Sequence, residues 1–224
     1  MENEKTGVKS SGEQITLFIQ KYRVALFVFI GLLCAGVVGS AGFFSIRDSM
    51  QRKAITTMEG FEKRKADMGE IQDAPDTPEL DALLEEVIAF APSTFGYAAA
   101  KSYSIAADIY AARGKWEMAE EAWVLSARKG AKTYMAPVSL FNAAVAAEEQ
   151  GKPEKALDYY SQSLAFKGIF AGASRARFNI GRIHEERQDK EAAKEAYRTL
   201  IEKSSADSGW TKLAQSRIIA LELE

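Results

Sequence analysis

From Val24 to Ile46 the chain runs 23 residues without a charge, held between Arg23 and Arg47. At ~1.5 Å rise per residue a helix of that length crosses the ~30 Å hydrocarbon core of a bilayer. Beyond Arg47 the pattern changes. Apolar residues recur every three or four positions, the period of helices with one buried face. The stretch Arg47 to Met68 carries Met50, Ala54, Thr57 or Met58, Phe61 and Met68 in such a series. Pro78 to Phe90 carries Leu80, Leu83, Leu84, Val87 and Ile88. Between them Gly69 to Pro78, with Pro75 and Pro78, reads as a loop. Helix pairs follow up to a last apolar-periodic segment, Trp210 to Leu221.

These pairs repeat with a period of 37. Ser139-Leu-Phe-Asn-Ala-Ala-Val-Ala-Ala-Glu-Glu-Gln-Gly lines up with Ala176-Arg-Phe-Asn-Ile-Gly-Arg-Ile-His-Glu-Glu-Arg-Gln. Phe141 matches Phe178, Asn142 matches Asn179, Ala156 matches Ala193 and Tyr160 matches Tyr197. One period earlier Gly114 matches Gly151, Ala119 matches Ala156 and Trp123 stands at the Tyr160 position. The two helices of each unit are separated by Arg113-Gly114-Lys115, Gln150-Gly151-Lys152-Pro153 and Gln188-Asp189-Lys190. Glycine accepts the left-handed backbone that ends a helix, and proline suits the first turn of the next. A fixed period of this size indicates units that stack because none can bury its apolar face alone.

The spaced positions resemble the tetratricopeptide repeat, a helix–turn–helix unit. In the first unit Tyr103, Ala106, Ala107, Tyr110, Gly114, Ala119 and Trp123 fall on the motif. Leu140, Ala143, Ala144, Ala147, Gly151, Ala156 and Tyr160 do so in the second, and Ile180, Gly181, His184, Ala193 and Tyr197 in the third. The motif's terminal proline is missing in all three, and the extra residues fall in the inter-repeat loops. The resemblance implies an all-α solenoid. It would hold about three full helix pairs, a degenerate first pair formed by the Arg47 and Pro78 segments, and a C-terminal capping helix. The resulting division is a short cytoplasmic tail (1–22), a transmembrane helix (23–46), a stalk helix with the degenerate pair (47–95) and the repeat domain (96–224).

Two other readings of the apolar run are open. A secretory signal would use Gly39 and Ala41 near its cut, but Phe43, Phe44 and Ile46 carry the run past them. A lipoprotein would use Cys34, but Leu33 stands where a small residue is needed. A retained anchor fits the length best. Basic residues do not orient it, with Lys9, Lys21 and Arg23 before and Arg47, Arg52 and Lys53 after. Gly31, Ala35, Gly39 and Gly42 lie near one helical stripe, which permits a homo-oligomer through close helix packing. The layout resembles a bacterial family of inner-membrane proteins with a short cytoplasmic tail, one anchor and a periplasmic repeat domain, the ancillary Sec translocon subunits. Phe95-Gly-Tyr97-Ala-Ala-Ala100 and the small-residue pattern after it carry the sequence part. That resemblance implies a periplasmic domain that binds other proteins. A structural subunit of a larger envelope machine, such as a flagellar motor assembly, is the alternative.

Chemistry is sparse. The formal net charge is −2, with no basic stripe for nucleic acid. The one cysteine, Cys34, lies in the apolar run, so the repeats hold no thiolate zinc site or disulfide. The one histidine, His184, occupies a core position of the motif. Phosphate loops, H-E-x-x-H and nucleophile elbows are absent. The expectation is a non-enzyme without cofactor or metal. An enzyme with an unrecognised site is the less favoured reading. Glu148-Glu149 and Glu185-Glu186 read as solvated helix ends. The expected binding surface is the concave face built by the first helix of each unit: Lys101, Ser104 and Asp108, then Phe141, Asn142 and Val145, then Arg175, Phe178, Asn179 and Arg182. Aromatics there supply buried area, asparagine bonds a peptide backbone, and arginine takes carboxylates. Phe141 and Phe178 equally suit packing between units. The carboxylate clamp that binds chaperone tails is not matched, since Ser104 and Asp108 stand where its first lysine and asparagine would be.

Overall fold

The computed structural model describes residues 11–71, 76–166, 170–205 and 208–223. Every regular element among them is helical: α1 (Ser11–Asp67), α2 (Pro78–Phe90), α3 (Gly96–Ala112), α4 (Trp116–Lys129), α5 (Met135–Glu149), α6 (Pro153–Leu164), α7 (Ala173–Glu186), α8 (Lys190–Lys203) and α9 (Gly209–Leu223). The chain divides into two compact units, residues 1–50 and 51–224.

In the first unit, α1 is helical from Ser11, so part of the expected 1–22 tail continues the helix; residues 1–10 lie outside the described residues. Its apolar stretch has a mean hydropathy of 2.5 in the richest window and buries none of it. Phe27, Val38 and Ile46 are exposed. That length and composition suit a membrane anchor or a signal sequence.

The second unit is a tetratricopeptide-type solenoid. α3–α4, α5–α6 and α7–α8 form three hairpins, and α9 packs on α8 as a single closing helix. The core is a row of local clusters, the mark of a fold in which each unit touches only its neighbours. The first cluster joins Phe61 of α1, Ile71, Leu80, Leu83, Leu84 and Val87 to Ile105 and Ile109 of α3. The end of α1 and α2 thus supply the degenerate opening pair. Thr77 caps α2 by accepting from the Leu80 amide at 3.3 Å, with Pro78 in the first turn.

Each hairpin turns the same way. Gly114, Gly151 and Gln188 stand one period apart, with φ of 65°, 66° and 62°. At each, the following amide reaches back to the helix: Lys115 N–H to Tyr110 O, Lys152 N–H to Ala147 O and Asp189 N–H to His184 O, all at 2.9 Å. This is the Schellman closure of a helix end. Glycine adopts that backbone freely and glutamine does not. Inside the hairpins an aromatic residue packs against a small one. Trp123, Tyr160 and Tyr197 are buried, as are Ala107, Ala144 and Gly181. The α7–α8 approach is close enough that a Cβ on Gly181 would overlap the Tyr197 ring.

Candidate binding groove

The first helices of the units, α3, α5 and α7, carry the candidate residues. Two open clefts run along them. One, of about 530 Å³, includes Lys65, Ile71, Asp108, Trp123, Asn142 and Val145. The other, of about 540 Å³, includes Val145, Glu149, Arg175, Asn179, Arg182 and Glu186. Val145 belongs to both, so the clefts join into one groove. Of the ten expected residues, Asp108, Asn142, Val145, Arg175, Asn179 and Arg182 line it. Lys101 and Ser104 line neither cleft.

The first unit's charges are already engaged by α1. Lys101 Nζ lies 2.7 Å from Glu62, and Lys65 donates to Asp108. Sequence gave no sign of this. The apolar series of the stalk marks its buried face and says nothing of Glu62 and Lys65.

Phe141 and Phe178 sit between units. Phe141 is 8% exposed, 5.2 Å from the Tyr160 ring and 5.9 Å from Phe170. Phe178 lies 5.4 Å from both Tyr197 and Trp210. Like Lys101 and Ser104, they line neither cleft. The Arg175 guanidinium lies over the Phe141 ring at 5.2 Å, a contact that holds a cation without neutralising it.

The acidic pairs correct the reading of solvated helix ends. The Glu148 side chain is only 17% exposed and Glu185 19%. Tyr160 Oη donates to Glu148 at 2.6 Å, Arg182 donates to the same carboxylate, and Asn179 Nδ2 donates to Tyr160 Oη at 2.7 Å. One period on, Tyr197 Oη donates to Glu185 at 2.9 Å and Arg217 of α9 closes on it. Each glutamate therefore joins its own hairpin's second helix to the next unit. Burial and then the Glu148 carboxylate push the Tyr160 hydroxyl pKa well up. Burial alone would lower Arg182, but Glu148 and Glu186 outweigh it and raise its pKa. Only Glu149 and Glu186 of the four acids are exposed. The signal available in the sequence was the joint recurrence of glutamate and tyrosine at 37, with an arginine following each pair.

In the junction before, the corresponding positions are Ala111, Trp123 and Val145, so apolar side chains stand in the first cleft where the second has its Glu148–Tyr160–Arg182 network. Trp123 Nε1 is buried and has no hydrogen-bond partner among the described residues. Within the groove, neither Asn142 nor Arg175 pairs with a protein carboxylate or carbonyl among the described residues. No cluster of three or more metal-ligating side chains occurs among the described residues.

Known proteins agree with this fold. Two tetratricopeptide-repeat family models match the chain, over residues 138–165 and 174–204. These are the α5–α6 and α7–α8 hairpins. A "TPR repeat-containing protein" of Treponema pallidum (strain Nichols) is 39% identical over 145 residues. The match covers 64% of this chain and 60% of that one, so the chain spans less than two thirds of its relative. Residues 138–165 and 174–204 thus match the tetratricopeptide repeat, a fold whose general role is to bind other proteins.

Proposed function

We propose that this chain is a membrane-anchored scaffold that holds a protein partner in the groove between α3, α5 and α7. The observation that carries the reading is the joined groove. A cleft in which Trp123 and Val145 stand beside Lys65, Asp108 and Asn142 meets a charged one in which the exposed Arg175 lies over the Phe141 ring. An extended or helical segment with an apolar side chain for the first cleft and a carboxylate near Arg175 fits both. The anchor reading rests on the exposed apolar stretch of α1. A bacterial inner-membrane location with a periplasmic repeat domain is the reading that the layout and a bacterial relative support. An accessory role beside a membrane machine such as the translocon is the corresponding assignment.

The test uses the tagged full chain in nanodiscs as bait, with Arg175→Glu, Asn142→Lys and, on the outer face of α4, Glu121→Lys. A partner that binds in the groove is lost with the first two and kept with the third. Equal recovery by all three sinks the groove, and release of the chain from membranes by high salt or carbonate sinks the anchor.

A further inference from the structure

A second cavity lies on the other side of α7. On a helix, Arg175, Asn179 and Arg182 share one face, and Arg177, Ile180 and His184 fall roughly opposite. The cavity, of about 420 Å³, opens between Leu164 of α6, Arg177 and Ile180 of α7, and Ala192, Ala196 and Lys203 of α8. That volume falls in the ~300–1,000 Å³ range of small-molecule sites.

Its cause is a local departure from the repeat. In the preceding junction, α6 is tied to α4 by long side chains. Tyr159 Oη donates to Glu120 at 2.8 Å, and Lys155 pairs with the same carboxylate. One period later these positions are Ala196 and Ala192, with Leu157 in place of Glu120. Two alanines leave unfilled the space that a tyrosine and a lysine occupy one unit earlier.

A second departure adds charge. Arg177 replaces Leu140, which is buried in its own unit. The Arg177 guanidinium is partly buried and makes no ion pair or hydrogen bond among the described residues. The other half-buried arginines, Arg64, Arg113, Arg182 and Arg217, all have carboxylates. Burial lowers the Arg177 pKa, with no anion to offset it. Lys203 brings a second cation to the wall and Glu195 one anion, so the cavity is net positive. A desolvated cation beside an apolar hollow is poorly satisfied by water alone.

We infer that this cavity binds an anionic single-chain amphiphile of the fatty-acid class, its carboxylate against Arg177 and its hydrocarbon chain along Leu164, Ile180, Ala192 and Ala196. The site is separate from the protein-binding groove and does not depend on that reading. Binding strengthens roughly threefold to fourfold for each added methylene until the cavity is full.

The test uses the full chain in lipid nanodiscs with a photoreactive diazirine fatty acid, the adducts mapped by peptide sequencing. Labelling is expected on α7 and α8. Ala196→Tyr restores the residue of the preceding unit and is expected to abolish that labelling while leaving labelling elsewhere unchanged. Arg177→Leu, likewise borrowed from the preceding unit, is expected to weaken it roughly tenfold or more. A diazirine alcohol of equal length is expected to label α7 and α8 as weakly as the acid does the Arg177→Leu chain. Labelling of α7 and α8 unaffected by Ala196→Tyr, equal labelling by acid and alcohol, or none there at all overturns the assignment.

Discussion

Replacing Gln188 by glycine should stabilise this protein, although it removes a side chain and adds no contact. Gln188 has φ of 62°, while its counterparts one and two periods earlier are Gly151 and Gly114 in the same conformation. All three turns close the same way, with the next amide returning 2.9 Å to the helix. The glycine would therefore enter a turn that already accommodates it twice. Left-handed backbone costs an ordinary L-residue about 1–2 kcal/mol. Against this, glycine adds about 0.4–1 kcal/mol of unfolded-chain entropy. The balance favours Gln188→Gly by about 0.5–1 kcal/mol. The reciprocal Gly151→Gln should cost a similar amount. Urea unfolding of the compact unit 51–224 measures both, with the slope m held constant so that the shift in midpoint reports stability. At about 2–4 °C per kcal/mol for a domain of this size, the melting temperature should rise by roughly 1–4 °C for the glycine variant. A fall in stability with Gln188→Gly, or no loss with Gly151→Gln, would refute the shared-turn reasoning.

Three further outcomes follow from the packing. Tyr160→Phe removes a hydrogen bond to the Glu148 carboxylate and one from Asn179. It should cost about 2 kcal/mol by the same unfolding measurement, and more than Tyr197→Phe. Phe178→Ala strips the contact between the Tyr197 and Trp210 rings. It should cost about 3 kcal/mol and loosen α9, seen as a red shift in Trp210 fluorescence before global unfolding. Burial alone would raise the Glu120 carboxyl, but hydrogen bonds from Lys155, Tyr159 and Gln150 outweigh it and hold its pKa below the ordinary value. Its contribution is present above the unfolded carboxyl pKa of ~4.3 and is lost as pH falls through the folded value. Glu120→Gln should therefore flatten the acid limb of the stability–pH curve below about pH 4.5, and an unchanged limb counts against the assignment.

The sequence carried the helices and their pairing well because the pattern is local. Spaced small residues, an aromatic at a fixed offset and a turn every 37 positions each follow from one unit's own packing. What it hid was contact between units. Glu148 reads as a solvated helix end until Tyr160, 12 residues on, and Arg182, 34 on, are seen to converge on it. Lys101 and Asp108 read as groove charges until α1 is seen to bring Glu62 and Lys65 to them. Phe141 and Phe178 suited groove or core equally, because the residue between two units belongs to both. The groove that remains, Asn142, Val145, Arg175 and Asn179, lies on the second and third units, where the repeat is most regular.

The central claim is that this groove holds a protein partner, and site-specific photo-crosslinking in intact cells tests it most directly. A photoreactive residue at Asn142 or Asn179 should give a discrete, larger adduct with another protein. The same residue at Glu121 on α4 or Arg198 on α8, both exposed, should give none. Adducts at the α4 and α8 positions with none at Asn142 and Asn179 would place the partner elsewhere and contradict the account.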